Sequence, residues 1–284
     1  MIKLKTWLKI LFVFSKRIFR FSIDFLLILF FIMNNFFKYG NLYDKNILFV
    51  TAAEKNYFSQ LITLLKSFKR HLSDKIIVYD LGLEKEQKEY LSRDFNDVEI
   101  RKFNFQDNPK FFGEYIDKKL GNYAWKPVIV DELINQYKNK VVWLDAGNII
   151  TYKIVFLKIS LTALGLVVPV SSNRIVDWTH PKTIEYIGIQ NKYLKSNNYA
   201  SGLIGFDYNN VTARKISSKW CEFSKIKDCI SPPGSSRLNH RQDQAVLTLL
   251  LYKYFFSSKI IKFLHPQTNF IYGVMFHRRR IYNF

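Results

Sequence analysis

Acidic residues are scarce in this chain, and so are cysteines. Its 284 residues hold 23 Asp and Glu against 43 Lys and Arg, a formal charge of +20. That imbalance favours anionic partners: nucleic acid, phosphorylated small molecules or the anionic leaflet of a membrane. The two cysteines, Cys221 and Cys229, have no second pair to complete a metal site, which argues against structural zinc. They make a reducing compartment the default and leave a disulfide between them open but unforced. An internal repeat, a Walker loop, a Gly-rich dinucleotide fingerprint and a Ser-His-Asp context are all missing. A single sequon, Asn210-Val211-Thr212, does not by itself place the chain in a secretory lumen. Apolar and aromatic side chains are plentiful, at 48% and 17%, enough for a large core and against disorder.

The N-terminal forty residues differ from the rest. Lys3, Lys5, Lys9, Lys16, Arg17 and Arg20 are interleaved with Trp7, Leu8, Leu11 and Phe12, and "FSIDFLLILFFIMNNFF" follows over 21–37. The uncharged run after Asp24 is about thirteen residues, short of the ~20 that a spanning helix needs. No small-residue cleavage site follows, so a removable signal peptide is not expected. A basic, apolar segment of this kind reads as a membrane-associating helix over residues 1–40, lying in the interface plane or acting as a marginal signal anchor. A plain N-terminal core helix is the alternative. The first forty residues hold seven Lys and Arg and one Asp, leaving +14 on residues 41–284. That charge favours the cytoplasmic face of a membrane; a type II anchor with an external or lumenal domain stays open.

From Asn41 the pattern alternates. "NILFVTAA" reads as a short buried strand, "KIIVYDLG", "VEIRKFNF" and "KVVWLDAG" as further strands, and "FSQLITLLKSFKRH", "EKEQKEYLSRDF" and "WKPVIVDELINQY" as helices, with Pro127 in the first turn of the last. Strands spaced by such helices predict an α/β, Rossmann-like, mainly parallel sheet flanked by helices. Ligands of such sheets bind at the carboxyl ends of the strands. Thr51 to Glu54, Asp80 and Asp145 stand at three of those ends. Asp145 there has the chemistry to ligate Mg2+ or Mn2+, while Ala146 and Gly147 leave room for a phosphate. Asp-x-Gly is also a common turn sequence, so Asp145 capping the next turn explains the same spacing.

"NYAWKPVIVDELINQYKNKVVWLDAGNII", "NYASGLIGFDYNN" and "HRQDQAVLTLLL" occur in the order of three blocks of the GT-A fold nucleotide-sugar glycosyltransferases. The stretch resembles above all the glycogenin and bacterial lipopolysaccharide galactosyltransferase group, over roughly residues 45–280. The resemblance implies a metal-bridging role for Asp145. It implies nucleotide-sugar contacts from Thr51, Ala52, Ala53, Asp80, Lys126, Ser201 and Gly202. Asp243 and Gln244 would lie under the transferred sugar, and His277 would complete an Mn2+ or Mg2+ site, with Arg278 to Arg280 available to phosphate. The sequence departs from that pattern in three places. Gly147 stands where the second Asp of Asp-x-Asp belongs, Lys126 replaces an arginine, and His277 is matched by order alone, with His265 a rival and a solvated basic tail the plainer reading.

The expectation is therefore a membrane-associated glycosyltransferase of surface polysaccharide synthesis. It would take a nucleotide sugar, UDP-linked by preference, to a glycan or lipid-linked acceptor, with no nucleic acid partner. The competing expectation is a non-catalytic basic membrane-bound binding protein of the same fold. Asp80, Asp145 and Asp243 at three loop ends separate the two, because a pure binder has no use for them.

Overall fold

The computed structural model describes residues 22–23, 26, 29–37, 40, 46–116, 119–152 and 154–256, and the backbone of 274–276. After a helix over 29–37 (α1) come β1 (Ile47–Ala53), α2 (Phe58–His71), β2 (Ile76–Asp80), α3 (Lys85–Asp94) and β3 (Glu99–Lys102). A short hairpin, β4 (Tyr115–Ile116) and β5 (Lys119–Leu120), leads to α4 (Trp125–Tyr137), β6 (Lys140–Leu144), β7 (Asn148–Ile150) and α5 (Val155–Leu164). β8 (Leu166–Val167), β9 (Val170–Arg174), α6 (Ile175–Trp178), α7 (Pro181–Ile187), β10 (Asn197–Tyr199) and β11 (Leu203–Asp207) follow. The remainder is α8 (Val211–Ser224), α9 (Lys227–Ile230), α10 (Gln242–Leu250) and β12 (Val274–Phe276).

The main sheet has the order β3-β2-β1-β6-β11-β8. β1, β2, β3 and β6 run parallel, and β11 pairs antiparallel with both β6 and β8. The chain winds outward from β1 to β3 and then returns to place β6 on the other side of β1, which opens a crevice at the carboxyl ends of β1 and β6. The inner strands β1, β2, β6 and β11 are buried along their whole length because both faces are covered, whereas the edge strand β3 is polar and partly exposed. Leu48, Val50, Val141 and Trp143 pack toward α4, α8 and α10, while Ile47, Phe49, Val142 and Leu144 pack toward α2 and α5. The helices over 58–71 and 125–137 lie where the periodicity puts them.

Among the described residues no helix is long and apolar enough to cross a membrane, so the expected N-terminal membrane helix has no spanning element there. Residues 1–21 lie outside the described residues. Phe31 and Asn35 of α1 are buried on the domain, Phe31 beside Ile159 and the Asn35 Nδ2 donating to the Ile159 carbonyl at 3.2 Å. Cys221 and Cys229 are free thiols, and burial pushes their pKa values up to about 11 and about 12. Asn210 of the sequon serves the fold: its Oδ1 accepts from the Ala213 N–H at 2.9 Å as the cap of α8, and its Nδ2 donates to Leu164 O.

Candidate functional site

At the switch point the strand ends leave a cleft of about 570 Å3, lined by Ala52, Ala53 and Glu54 at the end of β1, by Tyr123 and Trp125 at the start of α4, by Trp143 of β6 and by Asp145 to Asn148 after it. Small residues at the end of β1 let a flat group approach the sheet edge, and the indoles supply an apolar wall. Gly121, Asn122 and Tyr123 hold three successive left-handed backbone conformations, φ 52°, 48° and 64°. A Cβ at Gly121 would clash with the backbone of Phe112. Left-handed Asn122 and Tyr123 each cost on the order of 1 kcal/mol or more, a strain retained where it aims side chains. Here it brings Tyr123 over Lys126, whose Nζ lies 5.4 Å from that ring and 5.5 Å from the Trp143 ring.

Lys126 is buried, and its Nζ stands 2.9 Å from Asp145 Oδ1 and 2.9 Å from Asp243 Oδ2. Burial works against the ammonium, but the Asp145 and Asp243 carboxylates more than offset it, so its pKa is raised. For Asp243, burial pushes the carboxyl upward and Asp145 adds to that, while Lys126 and Ser201 pull it back without cancelling the rise. The Asp243 Oδ2 makes its contact with Lys126 by proximity rather than along a hydrogen-bond direction. Asp145 is the member that faces outward, its side chain 45% exposed. Its Oδ1 accepts from Trp143 Nε1 at 2.7 Å, not from the backbone of the next turn, so its side chain is held toward the cleft. Its backbone is pinned by Asp145 N–H to Gly202 O at 2.9 Å, and Asn148 Nδ2 donates to the same carbonyl at 2.7 Å.

The sequence-expected residues fall into three groups. Asp145, Lys126, Asp243, Ser201 and Gly202 come together: Ser201 O and Oγ lie 3.4 and 3.5 Å from Lys126 Nζ. Ala52 and Ala53 line the cleft, whereas Thr51 is buried within β1. Lys126, for which the resemblance implies a nucleotide-sugar contact, lies beneath the cleft between two carboxylates. Asp80 does not reach the cleft. Burial would raise its pKa, but the Leu83 and Gly82 N–H groups at 2.6 and 2.8 Å and Lys88 at 3.1 Å outweigh that and lower it, which makes it the anchor of its own loop. Gln244 Nε2 turns to Ser171 Oγ at 3.5 Å. His277 and His265, with Arg278 to Arg280, lie outside the described residues.

The cleft also has residues to which the sequence reading gave no role. Glu54 is buried and accepts from the Tyr115 hydroxyl, a bond that pushes the Tyr115 pKa up to about 12. Tyr57 lines the cleft beside it. Arg237 and Arg241 reach it from the loop 231–241. The Arg241 guanidinium lies 3.9 Å from the centroid of the Trp178 ring, and the Arg241 backbone N–H donates to Trp178 O at 3.1 Å. Trp178 thus serves as the support of a cation.

For a divalent cation the donors in reach are few. One Asp145 oxygen is already held by Lys126 and Trp143, and Asn148 Oδ1 is buried and accepts no hydrogen bond among the described residues. Gly147 contributes no ligand. Among the described residues no group of three His, Cys, Asp or Glu is placed to hold a metal, so a divalent cation here would take Asp145, with Asn148 Oδ1 beside it, and draw the rest of its oxygens from water and the donor phosphates.

A family model described as "Protein of unknown function (DUF1647)" matches residues 33–131, from α1 through the first half of α4. No curated protein sequence matches the chain. Among solved structures, the galactosyltransferase LgtC in complex with donor and acceptor sugar analogs is similar over 81% of this chain and 86% of its own, at 17% identity and a TM-score of 0.52. An active-site mutant of LgtC is similar over 73% and 71%, at 17% identity and a TM-score of 0.51. The bifunctional glycosyltransferase WbbM matches over 75% of this chain but only 39% of its own, at 14% identity and a TM-score of 0.49. The chain has a GT-A glycosyltransferase-like fold.

Proposed function

We propose that the protein is a glycosyltransferase that moves a sugar from a nucleoside-diphosphate sugar, UDP-linked by preference, to a hydroxyl of a glycan or lipid-linked acceptor in surface polysaccharide synthesis. One observation carries this reading: Asp145 and two arginines line one cleft at the carboxyl ends of β1 and β6, and the Lys126–Asp243 pair is buried directly beneath Asp145. The base and ribose fit against Ala52, Ala53 and Tyr57, with Glu54 as acceptor for a hydroxyl. The diphosphate lies over Ala146 and Gly147, between Asp145 and the arginines. In the reaction the bond from the anomeric carbon to the diphosphate breaks, and a bond to the acceptor oxygen forms as that oxygen loses its proton. Negative charge grows on the leaving diphosphate, and cations placed in advance stabilise it most there.

Asp145 alone would repel an anionic donor. Lys126 offsets that charge, and Arg237 and Arg241 supply the forks that pair with phosphate oxygens. The proposal therefore assigns most of the phosphate charge to these cations and derives no step through a metal. Calorimetric titration with UDP tests it. We expect micromolar binding that stays within about twofold on adding EDTA, and a loss of about tenfold or more in each of Arg237→Ala and Arg241→Ala. Binding that vanishes in EDTA and returns with Mn2+ would transfer the role to a metal. No binding of UDP, GDP or CMP under either condition would refute the nucleotide-sugar reading.

A further inference from the structure

Two stripes run along α1. Phe31 and Asn35, one turn apart, are buried against α5. On the other side Leu26, Leu29, Phe30, Met33, Phe36 and Phe37 are 42–81% exposed, a row at helical spacing with no charge between Phe25 and Phe37. A contiguous row of this size is rare on a water-facing surface unless something covers it. We propose that this face lies on an anionic lipid leaflet, with α1 in the interface plane.

The chain itself names that occupant. The twenty N-terminal residues carry six Lys and Arg and no acid, with Trp7, Phe12, Phe14 and Phe19 among them. Basic residues joined to large apolar side chains are what an anionic interface attracts, through headgroup charge and acyl burial together. A second copy of the chain is the poorer partner, because each copy brings +20 to the contact. The buried stripe decides how α1 meets the bilayer. Asn35 is bonded to Ile159 O and Phe31 is packed on α5, so only one side of α1 is available to lipid, and a helix held to its domain in this way rests on the surface instead of crossing it. The catalytic domain would then work beside the membrane, within reach of a lipid-linked acceptor.

Flotation of the full-length protein with phosphatidylethanolamine vesicles, with and without phosphatidylglycerol, tests this. The wild-type chain should float with the phosphatidylglycerol vesicles and be released by alkaline carbonate. Phe30→Ser/Phe37→Ser, two exposed positions, should leave the melting temperature unchanged and weaken flotation about tenfold or more. Flotation of the double variant equal to wild type would show that the basic tail alone suffices and overturn the role of α1. Resistance to carbonate would make the chain integral and overturn the surface placement. A wild-type chain that ignores vesicles and sediments as a dimer would give the face to a second copy. UDP binding, measured on the same samples, is independent of all three outcomes.

Discussion

Lys126 is buried, and its charge is maintained chiefly by Asp145 and Asp243. Replacing it with Met removes the cation and leaves two carboxylates together, at a cost of about 3–5 kcal/mol near neutral pH. The pH dependence of that cost is specific. The Asp243 carboxyl is already pushed up by burial and by Asp145, and Lys126 is what pulls it down. Without Lys126 its folded pKa rises further above the unfolded value. A carboxyl of that kind stabilises the fold when protonated and loses the contribution as pH rises. Lys126→Met should therefore approach wild-type stability on mild acidification, read as a narrowing of the difference in urea midpoints. A difference that stays constant with pH would show that the two carboxylates do not depend on Lys126 for their balance.

The loop 231–241 is the element that delivers the arginines, and a histidine holds it. His240 is buried; His180 N–H donates to its Nδ1 at 3.2 Å, and its Nε2 meets Ile230 O at 3.0 Å. Burial lowers its pKa to about 4, so the folded protein keeps it neutral. As pH falls from 6.5 toward about 4 the unfolded chain takes up a proton that the folded one refuses, and stability is lost over that window by on the order of 3 kcal/mol. Thermal melts between neutral pH and pH 4 should show this loss in the wild-type protein and a shallower one in His240→Gln. Equal slopes would show that the loop is anchored by other contacts. At this scale the sequence was legible where local pattern decides: β1, β2, β3, β6, α2 and α4 all follow from apolar runs and 3.6-residue spacing. The antiparallel insertion of β11 beside β6 was not, since pairing over some sixty residues leaves no local trace. Side-chain direction was hidden too. "WKP" reads as a cation at a helix start, but only packing turns Lys126 inward, and Arg237 and Arg241 sit in a Pro/Gly/Ser stretch without the periodicity that would give their side chains a direction. Arg241, two residues before Asp243, was the available signal.

For the molecule as a whole, the charge of +20 and the scarcity of acids acquire separate meanings. Of the three acids read from the sequence as a set, Asp145 and Asp243 meet at one site while Asp80 serves its loop. The basic surplus serves two anions in this account, the donor diphosphate at the cleft and the lipid leaflet under α1. The central claim is that the cleft breaks a nucleotide-sugar bond. Purified protein incubated with a panel of UDP-, GDP- and CMP-sugars, with and without Mn2+, and assayed for released nucleotide tests it most directly. The account predicts turnover of at least one donor and a fall of about a hundredfold in a normally folded Asp145→Asn protein. Release of no nucleotide from any donor despite tight UDP binding, or undiminished release by Asp145→Asn, would contradict it.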